Sequence, residues 1–393
     1  MDPRDVVVLS AKRTPIGAFQ GALSSVGAPA LGSVAAKAAL ESARVRVDDI
    51  EEVFVGCVLP ANLGQAPARQ VALGAGLPDS VPCNTVNKVC GSGLRTVMMA
   101  AQAIRAGDVD VCLAGGIESM SNTPFYLDGA RDGLRLGDKK LIDGMIKDGL
   151  WDVYNDYHMG NAAELCAREC NVPRSAQDEF AAESYRRAQK AQEEGWFTEE
   201  IVPVAVPQRK GDPIMVDADE EPRRVKFEKI PSLKPSFVKD GTVTAANASS
   251  LNDGASMLVV ASRAWAEQRN LKPLATIAGH GSAAQAPEWF TTAPAKAIER
   301  TLRKLSLSVD DIDLFEINEA FAVVSIANEQ KLGLDRSKVN VWGGAVALGH
   351  PIGASGARIL TTLLHAMKQR DVRRGLASLC IGGGEGVALV VER

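Results

Sequence analysis

The sequence predicts an α/β protein built from two similar halves with a region inserted between them. Three observations carry this. Short β-branched runs alternate with helical patterns, as in helices layered on a largely parallel sheet. One order of motifs occurs twice. A polar stretch over residues 121–250 belongs to neither copy.

Taken in order, Val6-Val7-Val8-Leu9-Ser10 reads as a buried strand, and Val53-Phe54-Val55-Gly56 as a second. Val109-Asp110-Val111-Cys112-Leu113-Ala114 reads as a third, running into a tight turn at Gly115-Gly116. Residues 175–195 read as one amphipathic helix, with Ser175 and Asp178 suited to its start and Gly195 to its stop. The repeat is seen in the punctuation. Val47-Asp48-Asp49-Ile50 precedes one strand candidate and Val309-Asp310-Asp311-Ile312 another. Cys90-Gly91-Ser92-Gly93-Leu94 and Gly353-Ala354-Ser355-Gly356-Ala357 each open an apolar helix. Each helix leads into a strand with a cysteine and then glycines: Cys112 before Gly115-Gly116, and Cys380 before Gly382-Gly383-Gly384. This is an internal duplication of one α/β unit.

The 393 residues suit two or three structural units. Lys plus Arg number 44 against 48 Asp plus Glu, a net charge of −4, which argues against a nucleic-acid or membrane-surface binder. No apolar run reaches the length of a membrane span, and Asp2, Arg4 and Asp5 do not fit a signal peptide, so a cytoplasmic protein is expected. The seven cysteines lack disulfide-like spacing; a reducing compartment and a reactive thiol are the expectation. No C-x-x-C pair suggests zinc, and no G-x-G-x-x-G follows the first strand.

Four segments could carry chemistry. Cys90, at a helix start, would meet free backbone N–H groups and the positive end of the dipole, which favour thiolate; the alternative is a small buried cysteine at a turn. His350, in Gly349-His350-Pro351 and one of only four histidines, is a candidate base or else a structural histidine. Cys380 closes a strand before glycines and could deprotonate a carbon acid, with nearby N–H groups holding the enolate oxygen. Asn318, in Glu316-Ile317-Asn318-Glu319, could orient a water or donate to an oxyanion, or cap a helix.

Together these segments match one family in order and wording. With Arg13-Thr14-Pro15-Ile16-Gly17, Gly115-Gly116-Ile117-Glu118-Ser119-Met120 and Asn247-Ala248-Ser249-Ser250-Leu251-Asn252-Asp253-Gly254-Ala255, the chain resembles the thiolases from end to end, their short-chain acetoacetyl-CoA branch above all. The resemblance implies duplicated α/β halves in five layers, α-β-α-β-α, with an inserted loop domain and usually a homotetramer. The halves would be residues 1–120 with 250–271, and residues 272–393; the inserted domain would be 121–249. It further implies acetyl-CoA C-acetyltransferase activity: Cys90 takes the acetyl group, activated by His350, and Cys380 removes the α-proton of a second acetyl-CoA. One oxyanion hole would use His350 and a water on Asn318, the other the N–H groups of Cys90 and Gly382.

By the same resemblance, coenzyme A would lie against the inserted domain at Arg224 and Lys229, with Ser249 on the pantetheine arm and Tyr185 near the nucleotide. His158 and Met159 would narrow the acyl pocket, with Phe290 beside them. No cofactor is required, although some members bind potassium at positions matching Tyr185, Ala245, Ala246, Ala248 and Val346. The partners expected are acetyl-CoA, acetoacetyl-CoA and CoA, with no nucleic acid and no membrane. The nearest rival is a degradative 3-ketoacyl-CoA thiolase of broader chain length, against which His158 speaks. A β-ketoacyl synthase would lack a cysteine at 380, and an inactive acyl carrier would have lost one of the four catalytic residues.

Overall fold

A computed structural model describes residues 2–393. The strands of the main sheet are β1 (Val6–Arg13), β2 (Gly17–Ala18), β3 (Glu52–Gly56), β4 (Cys83–Val86), β5 (Val111–Ser119), β6 (Asn252–Ser262), β7 (Ala275–Ala284), β8 (Leu314–Ile317), β9 (Arg374–Ile381) and β10 (Glu385–Glu392). The longer helices are α1 (Ala28–Ala43), α2 (Pro67–Gly74), α3 (Ser92–Ala106), α4 (Met159–Glu169), α5 (Arg174–Glu193), α6 (Ala293–Lys304), α7 (Ala322–Leu332) and α8 (Ile352–Arg370).

The duplication is visible in the strand pairing. In the first half β3 runs parallel to β5, β5 antiparallel to β6, and β6 antiparallel to β1. In the second half β8 runs parallel to β9, β9 antiparallel to β10, and β10 antiparallel to β7. The halves meet where β1 pairs with β7 at Val7–Thr276 and Val8–Ala275, so ten strands form one continuous sheet.

Side-chain alternation along these strands builds the layers. Val7, Val53, Val55, Leu113, Met257 and Val259 face α1 and α2. Their neighbours Val6, Val8, Cys112, Ala114, Leu258 and Val260 face the other way, onto α3 and α8, in a cluster that also takes Ala377, Leu379, Val387 and Leu389 from β9 and β10. The far face of the second half, Leu376, Ala388 and Val390, packs on Ile298 and Leu302 of α6. The order is therefore helix, strand, helix, strand, helix, with α3 and α8 in the middle.

Gly115 and Gly116 are not a turn. They sit inside β5, opposite Met257 and Ser256. Here glycine answers a need for space: a Cβ on Gly116 would lie 2.1 Å from the Gly353 carbonyl oxygen, and one on Gly115 would lie 2.1 Å from that of Ser256. The repeat is also aligned differently from its cysteines. Cys112 is the second residue of β5, whereas Cys380 is the next-to-last of β9; the residue in that place on β5 is Glu118. The inserted helix α5 starts at Arg174 behind Pro173, and neither Ser175 nor Asp178 caps it. Asp178 instead pairs with Arg174 at 2.8 Å and accepts Asn247 Nδ2 at 2.9 Å. Gly195 follows at φ 69°.

Arg13 at the end of β1 anchors the inserted region. Fully buried, it donates to Glu200 at 2.5 Å and to both oxygens of Asp219 at 2.6 and 2.9 Å, under the ring of Phe197. Burial alone would lower the guanidinium; the two carboxylates outweigh it and hold the charge.

The α3–α8 crossing sets the spacing of the halves. A Cβ on Gly93 would reach Ala357 N at 2.7 Å, and one on Gly356 would reach Leu94 N at 2.2 Å, so the first turns of both helices touch backbone to backbone. Since the obstacle to a Cβ at Gly116 is main chain, no rotamer change relieves it. Gly116→Ala should cost about 1–3 kcal/mol, read as a lowered urea midpoint at unchanged slope; an unaltered midpoint would show that β5 and α8 can separate freely.

Candidate active site

Each middle helix begins two residues after a chemical group: Cys90 precedes Ser92 of α3, and His350 precedes Ile352 of α8. The close crossing of the two helices brings both groups to one cavity of about 370 Å3. Its wall carries Cys90, His350, His158, Met159, Ser249, Phe290, Ala245, Ala248 and Gly382, with Met120, Met145, Leu150, Leu251, Phe237 and Phe321 making it mainly apolar.

A strained turn presents Cys90. Val89 adopts φ 47°, a conformation rare for a β-branched residue, and local hydrogen bonds hold it there. Asn87 Oδ1 accepts Val89 N at 2.9 Å, while Ser92 Oγ accepts Lys88 N at 2.8 Å and donates to Val89 O at 2.6 Å. The Gly382 N–H, from the other half, lies on the same cavity as the Cys90 sulfur and favours its anion. Contrary to the expectation of a ready thiolate, burial pushes the thiol up to about 11, outweighing the N–H groups of Gly382 and Cys90 that favour the anion. The resting nucleophile is a thiol, and it needs a base.

His350 has the form of that base. Its Nδ1 lies 2.6 Å from Ser355 Oγ, and that hydroxyl donates to Pro351 O at 2.9 Å. With the serine proton so engaged, Nδ1 carries the imidazole proton and Nε2 keeps a free lone pair. Nε2 is buried and has no partner within the protein. Burial, reinforced by the Arg358 charge, pushes His350 down to about 3, so the ring is neutral. Asn318 follows β8 directly and is no helix cap, since Phe321 occupies that place before α7. Both its side-chain polar atoms are buried without a protein partner. An amide left open in this way can hold a water or an oxyanion.

Cys380, fully buried on β9, packs with Met159, Phe290 and Phe321 behind the wall. Burial, and next the charge of a neighbouring Cys90 thiolate, pushes it well up. His158 caps α4, its Nδ1 accepting Gly160 N at 3.1 Å, and stacks on Phe237 at 4.8 Å. That bond places the imidazole proton on Nε2, and burial lowers the ring's affinity for a second one. His158 can therefore donate a hydrogen bond.

Other residues singled out from the sequence lie off the wall. Tyr185 is buried in the central cluster against Phe227. Lys229 is exposed on a short 3-10 segment and Arg224 just after another, Arg224 within 3.8 Å of Glu220 and 3.7 Å of Glu221. Ala246 and Val346 are buried and are not part of the lining. Three residues of the site were not singled out. Glu118 accepts the N–H groups of Val58, Leu59 and Gly353 at 3.1, 3.2 and 2.8 Å, and burial raises it to about 7. Its signal was a carboxylate ending an apolar strand. Ser355 had one in its spacing from His350, whereas nothing in the pattern singles out Phe237.

Comparison with known proteins assigns the whole chain. The thiolase N-terminal domain family matches residues 6–264 and the thiolase C-terminal domain family residues 271–393. The chain belongs to the thiolase family. Among thiolase relatives, the acetyl-CoA acetyltransferase of Cupriavidus necator is 56% identical over 99% of both chains. Acetyl-CoA acetyltransferase 2 of Arabidopsis thaliana is 55% identical over all of this chain and 98% of its own. The Schizosaccharomyces pombe acetyl-CoA acetyltransferase is 50% identical over 99% of both. The same fold and the same acyltransferase class hold for this thiolase.

A half-buried thiol raised to about 11 makes a kinetic prediction. Inactivation by iodoacetamide should quicken about tenfold per pH unit from 7 to 10, because the thiolate fraction rises at that rate below the pKa. A rate already level near pH 8 would mean a standing thiolate–imidazolium pair instead.

Proposed function

We infer that this thiolase joins two acetyl-CoA molecules into acetoacetyl-CoA and CoA, reversibly, through an acetyl-cysteine. The observation that carries this reading is a thiol, Cys90, and a neutral His350 with a free lone pair on one small apolar cavity, with a second thiol, Cys380, buried behind its wall. His350 Nε2 takes the Cys90 proton as the sulfur attacks the acetyl carbonyl. The carbonyl oxygen becomes an anion held by the N–H groups of Cys90 and Gly382; one such donor contributes about 3 kcal/mol in a dry site. Collapse of the adduct expels the CoA sulfur, which takes the Cys380 proton. Cys90 is then a thioester that can no longer ionise, so no charge on Cys90 opposes a Cys380 thiolate.

That thiolate removes a proton from the methyl group of the second acetyl-CoA. The enolate oxygen is held by His350 and a water on Asn318, while His158 Nε2–H steadies the thioester. The carbanion attacks the acetyl group on Cys90, and the departing Cys90 sulfur recovers its proton from His350. Every group ends as it began. CoA would run past Ser249 to Arg224 and Lys229, exposed cations on an otherwise acidic chain.

The same reading extends to potassium near Tyr185 and Val346, held with the Ala245, Ala246 and Ala248 carbonyls. What supports it is the buried Glu319, which has neutral donors only: Ser184 Oγ, Asn340 Nδ2 and Val346 N. Glu221 and Glu319 also bear on Tyr185. Hard oxygen donors in a negative field suit such a cation. A homotetramer would cover Phe125, Leu127 and Leu141, which are solvent-exposed on the inserted region of a single chain. A cytosolic setting accords with seven free thiols.

The test is thiolysis across a series of 3-ketoacyl-CoAs. Acetoacetyl-CoA should be preferred over longer chains, because His158, Met159 and Phe290 limit the cavity. Cys90→Ala should lower kcat more than about 1000-fold. Comparable rates on longer chains would make this a degradative thiolase, and a rate indifferent to potassium would remove the cation from the site.

A further inference from the structure

The two oxyanion donors assigned above, the N–H groups of Cys90 and Gly382, stand on loops from opposite halves of the duplication. Productive catalysis needs such groups held within roughly 0.5 Å of their working positions. The α3–α8 crossing sets the coarse spacing of the halves, but both loops extend beyond it. The Gly382 turn has little of its own to reach the Cys90 loop with: Gly383 and Gly384 adopt φ 88° and 84° and carry no side chain, and Gly384 O is tied instead to Gln285 N at 2.8 Å. Something local must hold one loop against the other.

Three contacts join them. The Gly382 N–H lies near enough to the Cys90 sulfur to favour its anion, but that sulfur is the reacting atom and has to move during the reaction. Gly91 lies so close to Ile381 that a Cβ there would come 2.4 Å from Ile381 Cδ1. The third contact is an ion pair between Lys88 Nζ and Glu385 Oε2. Lys88 lies two residues before Cys90, and its main chain is fixed, since Lys88 N donates to Ser92 Oγ at 2.8 Å. Glu385 lies three residues after Gly382 at the first position of β10, where it pairs with Ile381 on one side and Ala284 on the other. Both ends of the salt bridge are thus anchored to regular structure immediately beside the loop they hold.

We propose that the Lys88–Glu385 salt bridge is a clasp that sets the separation of the Cys90 and Gly382 N–H groups, making both side chains positioning residues for the acyl-transfer steps. Neither side chain lines the cavity, so neither touches substrate there. At 30% and 34% exposure the pair adds little to global stability. Its effect is geometric, and the signature is correspondingly specific: a loss in rate without a matching loss in binding or in folding.

The inference rests on Cys90 and Gly382 being the donors, so its test separates the two. In single-turnover acetylation by acetyl-CoA, Glu385→Gln and Lys88→Gln should each slow acetyl transfer about 10- to 100-fold, the size expected for misplacing a catalytic group by a fraction of an ångström to an ångström. KM should stay within about twofold, and the thermal midpoint within about 2 °C. The double variant should be no slower than the slower single, and the exchanged pair, Lys88→Glu with Glu385→Lys, should recover most of the rate. Single variants with the parental rate, a double variant slowed by the product of the singles, or losses that follow KM or the thermal midpoint would each overturn the clasp. Cys90→Ala in the same assay guards the premise: an acetylated product there would remove the donor assignment and the clasp together, whereas an inert Cys90→Ala beside an unimpaired Glu385→Gln would remove the clasp alone.

Discussion

Everything at the site depends on how closely two helices can approach. The first turns of α3 and α8 meet main chain to main chain because Gly93 and Gly356 present no side chains there, and Gly116 and Gly353 let the second helix down onto the strand below. A methyl at any of these places would push the halves apart by a distance comparable to a hydrogen bond's tolerance. Cys90 and His350 each lie two residues upstream of one helix, so their proximity follows from the crossing. Glu118 locks the contact by accepting the Gly353 N–H from across the seam.

Burial, rather than the helix dipole, sets the protonation states. Cys90 precedes the helical turn by two residues and sits among Met, Leu and Phe side chains, where the cost of an unsolvated anion exceeds what the N–H groups return. The same surroundings keep His350 neutral. A charged pair at rest would spend its basicity before substrate arrived. A neutral thiol beside a neutral imidazole creates charge only as the carbonyl is attacked, at the point where the donors wait for it.

Reading the sequence alone recovers the chemistry better than the geometry. Cys90, His350 and Cys380 stand in segments whose glycines and prolines are needed for the turn or the close approach that presents them, so local pattern carries the signal. Gly115-Gly116 misleads, because a glycine that makes room for a neighbouring helix looks the same as one that makes a turn. Cys112 misleads likewise, since a cysteine near glycines is only a similarity of letters. Tyr185 and Val346 lie in the core, and no local rule says which buried residues border a cavity. The pairing of Lys88 with Glu385 joins positions far apart in the chain, and only the fold brings them together.

Aligned on the strands, the duplication explains how one ancestral unit serves two roles. Gly56 of β3 is paired with Gly116 of β5, and Ile317 of β8 with Ser378 of β9. Two residues beyond the second member of each pair stand Glu118 and Cys380; directly beyond the first stand Cys57 and Asn318. The first half fills these places with a hydrogen-bonded carboxylate and a buried thiol 3.8 Å from it. The second leaves both Asn318 atoms open and puts a thiol where the carboxylate would be. A carboxylate beside Cys90 would oppose its ionisation and take up the donors meant for substrate. By placing Glu118 under the His350 loop and Cys380 by the Cys90 loop, the fold keeps the hydrogen-bonded carboxyl for structure and reserves for catalysis a thiol charged only while it holds no proton.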